Sequence, residues 1–168
     1  MQVIRFAAVA ALAALAATAQ PAGSHSGGHA HGAGDQPAAI GKPGAASGAS
    51  RTVQVDMDDN MRFSPARIDV RQGETIRFVV RNVGRIRHEM VLGTQDDLLA
   101  HYELMKKHPE MEHDDPNQVT LAPGKSGEIV WQFTRTGQVD FACLQPGHYD
   151  AGMKGAVRVA ATKPEGRR

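Results

Sequence analysis

The sequence has a single cysteine, Cys143, among its 168 residues. One cysteine cannot form an internal disulfide, and a free thiol outside the cytosol is exposed to oxidation. Retention as a small buried hydrophobic side chain is one explanation for the residue. A metal-ligand role explains it better, because metal binding consumes the thiolate.

The sequence also lacks an apolar run of the roughly 20 residues that a membrane-spanning helix needs. Near the N-terminus, the single charge of Arg5 precedes a shorter apolar run, 6–17, and Ala17-Thr18-Ala19 forms a small-x-small cleavage pattern. That order predicts a secretory signal peptide at 1–19, with a membrane anchor as the rival interpretation. We therefore expect a periplasmic protein with no membrane span after signal cleavage.

A surplus of charge of one sign is absent as well. Without Arg5 the chain has 18 basic and 18 acidic residues. The basic residues are scattered, and Arg81, Arg85 and Arg87 come closest to a patch, which we interpret as a solvated loop. A nucleic-acid-binding surface would need a basic stripe, so no nucleic-acid partner is expected.

Residues 20–50 are rich in Gly, Ala, Ser, Pro and His and almost lack large apolar side chains. Such a segment cannot bury enough surface to offset its ordering entropy, so it is predicted to be a disordered tail. Its clustered histidines are His25, His29 and His31. They form either a metal-capturing tract or an ordinary polar linker, and the sequence favours neither. A second short tail is expected at 162–168.

Between these tails, residues 51–161 alternate apolar and polar side chains between turn signals, as half-buried strands do. Many short strands with Gly and Pro between them indicate an all-β sandwich or barrel. The predicted strands lie near 53–56, 68–70, 75–80, 88–92, 119–121, 127–133, 139–143 and 155–159.

One segment departs from the strand pattern. Gln95–Lys107 has apolar residues at helical spacing, with Thr94 as a plausible N-cap and Pro109 beyond its end. We predict one short helix there, within an insertion at about 95–117 that packs on the strands.

The pattern that carries chemistry is C-x4-H-x4-M, formed by Cys143, His148 and Met153 on a loop between two predicted strands. A thiolate, an imidazole and a thioether are donors that copper accepts in both of its oxidation states. A second imidazole must come from elsewhere, and His88 follows the central strand. Two imidazoles and a thiolate with a weak axial thioether make a blue-copper site.

The region from about Val53 to Val159 resembles the cupredoxins, whose azurin and rusticyanin branches carry the same C-x4-H-x4-M loop. Phe63-Ser64-Pro65 and Leu121-Ala122-Pro123-Gly124 are also similar to the family's strand patterns. The resemblance implies a Greek-key β-sandwich that binds one copper ion near one end. It also implies that His148 lies nearest the surface and serves as the exit for the electron.

The chain departs from the family at Glu89, where many members have a small polar residue that hydrogen-bonds the cysteine sulfur. The helical insertion is atypical too. The insertion and the histidine-rich leader are similar to those of small periplasmic cupredoxins linked to copper tolerance.

The insertion carries four further candidate metal ligands, Met105, His108, Met111 and His113. They form either a second, weaker copper site or a helix end where Met packs inward and His faces water. We favour the second interpretation, because no tight ligand spacing singles out a site.

These observations predict a type 1 copper protein that cycles between Cu(II) and Cu(I) for electron transfer, in the context of copper tolerance. The alternative is copper buffering or delivery, with the tail and the insertion as extra copper sites; a metal-free interaction module is a third hypothesis. We expect a monomer whose partner is a periplasmic redox protein, such as a c-type cytochrome, or a copper-handling protein. An enzyme is not expected, because protein side chains would take all four coordination positions.

Overall fold

The computed structural model describes residues 39–111 and 114–162, all of which lie in a unit that spans residues 32–168. Among the elements of these residues are ten strands, a short 3-10 helix (Ala46–Gly48) and an α-helix, α1 (Gln95–Lys107). The strands are β1 (Lys42–Pro43), β2 (Arg51–Asp58), β3 (Arg62–Ser64), β4 (Arg67–Arg71), β5 (Thr75–Asn82), β6 (His88–Gly93), β7 (Gln118–Leu121), β8 (Ser126–Gln132), β9 (Gly137–Ala142) and β10 (Lys154–Ala160).

The strands form two five-stranded sheets, with the orders β1-β8-β5-β2-β3 and β4-β10-β9-β6-β7. Both sheets are mixed, because β2 pairs parallel with β5 and β10 pairs parallel with β4, whereas the other pairs are antiparallel. Apolar side chains from both sheets form one buried cluster between them. This arrangement confirms the predicted all-β sandwich with one short helix.

Strand β5 shows how side-chain alternation builds this core. Ile76, Phe78 and Val80 point to one face and are fully buried, whereas Arg77 points to the other face and pairs with Glu128 of β8. Successive side chains of a strand alternate between the two faces of the sheet, so one strand supplies both core and surface.

All six residues of strand β6 are buried, because α1 covers the face of the second sheet that points away from the sandwich core. Leu98, Tyr102 and Met105 of the helix pack there with Val91 and Leu144. The first residue of β6, His88, is therefore held on a strand that is packed on both sides.

The helix has the predicted bounds, Gln95–Lys107. The hydroxyl of Thr94 accepts a hydrogen bond from the backbone N–H of Asp97 at 3.2 Å, as an N-cap residue does. Acidic residues in the first turn and lysines in the last turn complement the helix dipole.

The sequence pattern predicted that the folded domain begins at residue 51. In the structure the fold begins earlier. Ile40 is 4% exposed, and its carbonyl accepts a hydrogen bond from the Trp131 indole N–H at 2.9 Å. Lys42 and Pro43 then pair with the end of β8. The composition of this segment did not indicate the pairing, because the strand pairing with β8 is made by backbone groups.

The predicted signal peptide at 1–19, the histidines of the tail and residues 163–168 lie outside the described residues. Among the residues that are described, no helix is long and apolar enough to cross a membrane.

Candidate metal centre

Three potential metal donors converge at one end of the second sheet. The donor atoms of His88, Cys143 and His148 all lie within 4.8 Å of one another. Nδ1 of His148 is 3.2 Å from Nδ1 of His88 and 3.3 Å from Sγ of Cys143. Within residues 39–111 and 114–162, no other group of three His, Cys, Asp or Glu side chains converges in this way.

The sheet topology brings these residues together. Strands β6 and β9 are antiparallel neighbours, with Val91 opposite Ala142. The start of β6 therefore lies beside the end of β9. His88 is the first residue of β6 and Cys143 directly follows β9, so the two side chains meet although they are far apart in the sequence.

The loop from β9 to β10 is closed by its own backbone. The N–H of Cys143 donates to the carbonyl of Met153 at 3.1 Å, and the N–H of Met153 donates to the carbonyl of His148 at 3.0 Å. Gly147 and Gly152 have φ angles of 86° and 89°, a conformation that other residues rarely adopt. The loop thus holds the three residues of the C-x4-H-x4-M pattern together, with Met153 fully buried.

The three converging side chains differ in burial. His88 and Cys143 are fully buried, whereas His148 is only partly buried and so is the one that reaches the surface. Burial, with a smaller contribution from the nearby Glu89 carboxylate, raises the pKa of the Cys143 thiol to about 12. Burial also lowers the pKa of His148, with a smaller contribution from His88. Without metal, the thiol is therefore protonated and His148 is neutral at pH 7.

Glu89 stands where many members of the family have a small polar residue, and its contacts show what it does at this position. Its backbone N–H, rather than its side chain, donates to Sγ of Cys143 at 3.4 Å. The side chain is 5% exposed and accepts hydrogen bonds from the Leu144 N–H, the Gln145 amide and the Thr120 hydroxyl. Glu89 therefore joins β6, β7 and the start of the loop behind the sulfur.

Sequence analysis missed Asp59, which lies in the turn between β2 and β3. Its Oδ1 is 3.1 Å from Nε2 of His88, and its two carboxylate oxygens accept the N–H of Arg85 at 3.0 and 2.8 Å. The Arg85 hydrogen bond is the main reason why the pKa of Asp59 is lowered. Asp59 is 29 positions from His88 in an ordinary polar turn, so no sequence signal links the two residues.

The helix also contacts the loop through a side chain that the sequence did not indicate. The hydroxyl of Tyr102 accepts the N–H of Gly147 at 2.9 Å and donates to the Asp150 carboxylate at 2.8 Å. Its ring stacks on Tyr149 with a centroid distance of 5.0 Å. Both neighbours of His148 in the chain thus contact Tyr102.

The candidate residues of the second site that the structure describes differ in burial. Met105 is 2% exposed and Met111 packs against the same apolar cluster, whereas His108 is exposed at the end of the helix. Both methionines contact the apolar cluster, and the choice between a second copper site and a helix end stays a prediction. His113 lies outside the described residues, as do the tail histidines His25, His29 and His31.

The donor set fits copper. Imidazole nitrogens suit Cu(II), and thiolate and thioether sulfurs suit Cu(I), whereas Mg²⁺ and Ca²⁺ prefer oxygen donors. Two imidazoles and one thiol converge here, and the neighbouring Asp59 and Glu89 carboxylates accept hydrogen bonds from the backbone N–H groups of Arg85 and Leu144. The three donor atoms already lie within 4.8 Å of one another, close enough to surround a single ion.

Comparisons with known proteins agree with this chemistry. Residues 49–160 match the copper binding proteins of the plastocyanin/azurin family. A copper-resistant cuproprotein CopI from Rubrivivax gelatinosus is 57% identical over 81% of this chain and 81% of its own length. Another, from Pseudomonas aeruginosa, is 39% identical over 72% of this chain and 82% of its own length.

A solved structure is similar as well. Dithionite-reduced auracyanin from the photosynthetic bacterium Roseiflexus castenholzii superposes with a TM-score of 0.56 at 27% identity, over 67% of this chain and 99% of that one. Copper is accordingly the cofactor of this chain, and His88, Cys143 and His148 form a possible site for it. The chain belongs to the plastocyanin/azurin family of copper-binding proteins.

Proposed function

We propose that this chain is a periplasmic type 1 copper protein that transfers single electrons and thereby supports copper resistance. The observation that carries the proposal is the convergence of two imidazole nitrogens and one thiol within 4.8 Å on a packed sandwich. A site that is assembled before the metal arrives changes little when the charge of the metal changes. Little reorganisation is what rapid electron transfer requires.

His88, Cys143 and His148 would hold the copper, and Met153 would be a fourth, weaker donor. When bound, copper supplies a one-electron couple between Cu(II) and Cu(I). His88 holds its position because β6 is packed on both faces. The backbone of Met153 bonds to both other residues of the loop, so these donors keep their spacing.

The electron would pass through His148. It is the only one of the three converging side chains that reaches the surface, so a partner can approach it without opening the core. We propose a periplasmic electron carrier, such as a c-type cytochrome, or a copper-handling protein as that partner. The chain would act there as a monomer, after export and removal of residues 1–19.

The proposed role in copper resistance rests on the names of the proteins that this chain is similar to. Two proteins that share 57% and 39% of their aligned residues with this chain are named copper-resistant cuproproteins. Buffering of several copper ions is the alternative role. Met105 is buried and Met111 packs against the same apolar cluster, which supports a structural role for both side chains, so we favour one redox-active copper per chain.

The test combines redox cycling with copper tolerance. The purified mature protein should bind one copper that ascorbate reduces and a mild oxidant reoxidises through repeated cycles. In a bacterium that lacks its own relative of this protein, the wild-type chain should restore growth on copper, and Cys143→Ser should not. Asp69→Asn, a change on an exposed strand residue, is the control that should behave as the wild type.

Two results would contradict the proposal. Full restoration of tolerance by Cys143→Ser would show that resistance does not need the thiolate site. A wild-type protein whose bound copper does not cycle would favour buffering over electron transfer.

A further inference from the structure

We propose that Asp59 is a positioning residue of the copper centre, which fixes the tautomer of His88 and favours Cu(II) over Cu(I). This inference rests on the proposed function, because it concerns the copper that His88 would bind. The observation behind it is the contact of 3.1 Å between Asp59 Oδ1 and His88 Nε2, the ring nitrogen that faces away from the converging donors.

The contact determines where the imidazole proton lies. Nδ1 of His88 faces the other donors and must keep its lone pair to bind a metal, so the proton must be on Nε2. An ionised carboxylate only accepts hydrogen bonds, and Asp59 therefore selects the tautomer that copper needs. His88 is fully buried, so water does not offer a competing acceptor there.

The carboxylate is itself held in place. Both of its oxygens accept the N–H of Arg85. The loop that supplies this N–H is anchored by Asn82, whose amide donates to the carbonyls of Ile86 and Leu121 at 2.7 and 2.9 Å. Asp59 thus belongs to a fixed arrangement that points a negative charge at the back of the ligand.

Gly84 provides independent support for this arrangement. A Cβ atom built on Gly84 would lie 2.0 Å from Oδ1 and 2.8 Å from Cγ of Asp59. No side chain fits there while the carboxylate keeps its place. The absence of a Cβ at residue 84 is therefore what lets Asp59 reach His88 and Arg85 together.

The hydrogen bond has a redox consequence. An imidazole that donates its N–H to a carboxylate becomes a more basic ligand. A more basic, more negative ligand stabilises the doubly charged ion more than the singly charged one. Loss of such a partner typically reduces metal affinity by about tenfold or more. If that loss falls on Cu(II) alone, a tenfold change corresponds to about 59 mV for a one-electron couple.

The experiment measures the reduction potential of the copper-loaded mature protein by spectroelectrochemistry. Asp59→Asn removes the charge, and we expect the potential to rise by about 59 mV, a tenfold weaker preference for Cu(II). Gly84→Ala keeps the charge but displaces the carboxylate, and it should raise the potential in the same direction. The two variants change different residues, so a folding defect in one does not leave the proposal without a test.

Two matched controls test whether the effect depends on the location of the change. One removes an aspartate charge elsewhere in the chain, and the other replaces a glycine elsewhere. Asp69→Asn removes the same charge from an aspartate that pairs with Arg158 and has no contact with the centre. Gly48→Ala adds a Cβ with no atom within 4 Å. Both controls should keep the potential of the wild-type protein.

The inference is overturned if Asp59→Asn and Gly84→Ala have the same potential as their controls, even if they unfold more easily. Such a result would give Asp59 a structural role only. Because the wild-type spectrum is recorded in the same experiment, failure of the proposed function appears separately, as a wild-type protein without a thiolate-to-copper absorption band.

Discussion

At the scale of single residues, the chemistry of the centre depends on the thiol of Cys143, whose environment disfavours ionisation. Burial, followed by the Glu89 carboxylate, raises the pKa of Cys143 to about 12, so the metal-free protein holds this proton throughout the physiological range. Metal binding needs the thiolate and must release the proton. The apparent affinity for the metal therefore falls in acid, and it rises with pH at every pH below about 12.

This predicts a proton release that can be counted. Between pH 7 and pH 8, binding of Co(II), a redox-stable probe, should release about one proton, so that the apparent affinity rises about tenfold per pH unit. Burial lowers the pKa of His148, which therefore contributes no proton in this range. Calorimetric titration in two buffers of different ionisation enthalpy measures the number. Release of one proton by Cys143→Ser as well would contradict the assignment.

Sequence analysis identified the residues that converge but not those that support them. Cys143 and His148 stand in a recognisable spacing, because one short loop must curl to present both. Asp59, by contrast, reaches His88 only through the fold, from a turn 29 positions earlier. Such a contact depends on where a turn and a strand meet in the fold, so no spacing of residues in the sequence predicts it.

At the scale of elements, α1 acts as a brace for the ligand loop. The hydroxyl of Tyr102 bonds to the loop on both sides of His148, through the Gly147 N–H and the Asp150 carboxylate. This contact gives the atypical insertion a structural role, which is to hold the ligand loop. That role does not require a second metal site.

Replacement of Tyr102 by Phe tests the brace. The change keeps the ring stacked on Tyr149 but leaves the N–H of Gly147 without its partner. We expect the free energy of unfolding of the metal-free protein to fall by about 0.5–1.5 kcal/mol, measured with urea, because water can bond to the exposed Gly147 in place of the hydroxyl. Deuterium uptake at residues 145–150 should increase. Leu99→Ala, an exposed position of the same helix, should change stability by less than about 0.5 kcal/mol.

An unchanged urea midpoint together with unchanged uptake in Tyr102→Phe would show that the helix does not hold the loop.

The elements themselves were predictable to different degrees. The eight longer strands and the helix have clear apolar periods, because each buries one face or stripe, and all of them were predicted. Strands β1 and β3 have two and three residues. So few residues cannot display an alternation, and their pairing is decided by the neighbouring strand.

At the scale of the whole molecule, the segment before residue 51 is part of the sandwich. Ile40 fills a place in the core, and its carbonyl satisfies the indole N–H of the buried Trp131. A chain that begins at residue 51 should therefore be less stable than one that begins at residue 39, by at least about 2 kcal/mol. Urea unfolding of the two metal-free chains measures the difference. Equal midpoints would place residues 39–50 outside the stable fold.

The most direct test of the copper centre is the visible absorption spectrum of the mature protein with one equivalent of Cu(II), beside Cys143→Ser. We predict an intense thiolate-to-copper charge-transfer band in the wild-type protein and its absence from the variant. Weak ligand-field absorption alone, unchanged by the substitution, would contradict the centre formed by His88, Cys143 and His148.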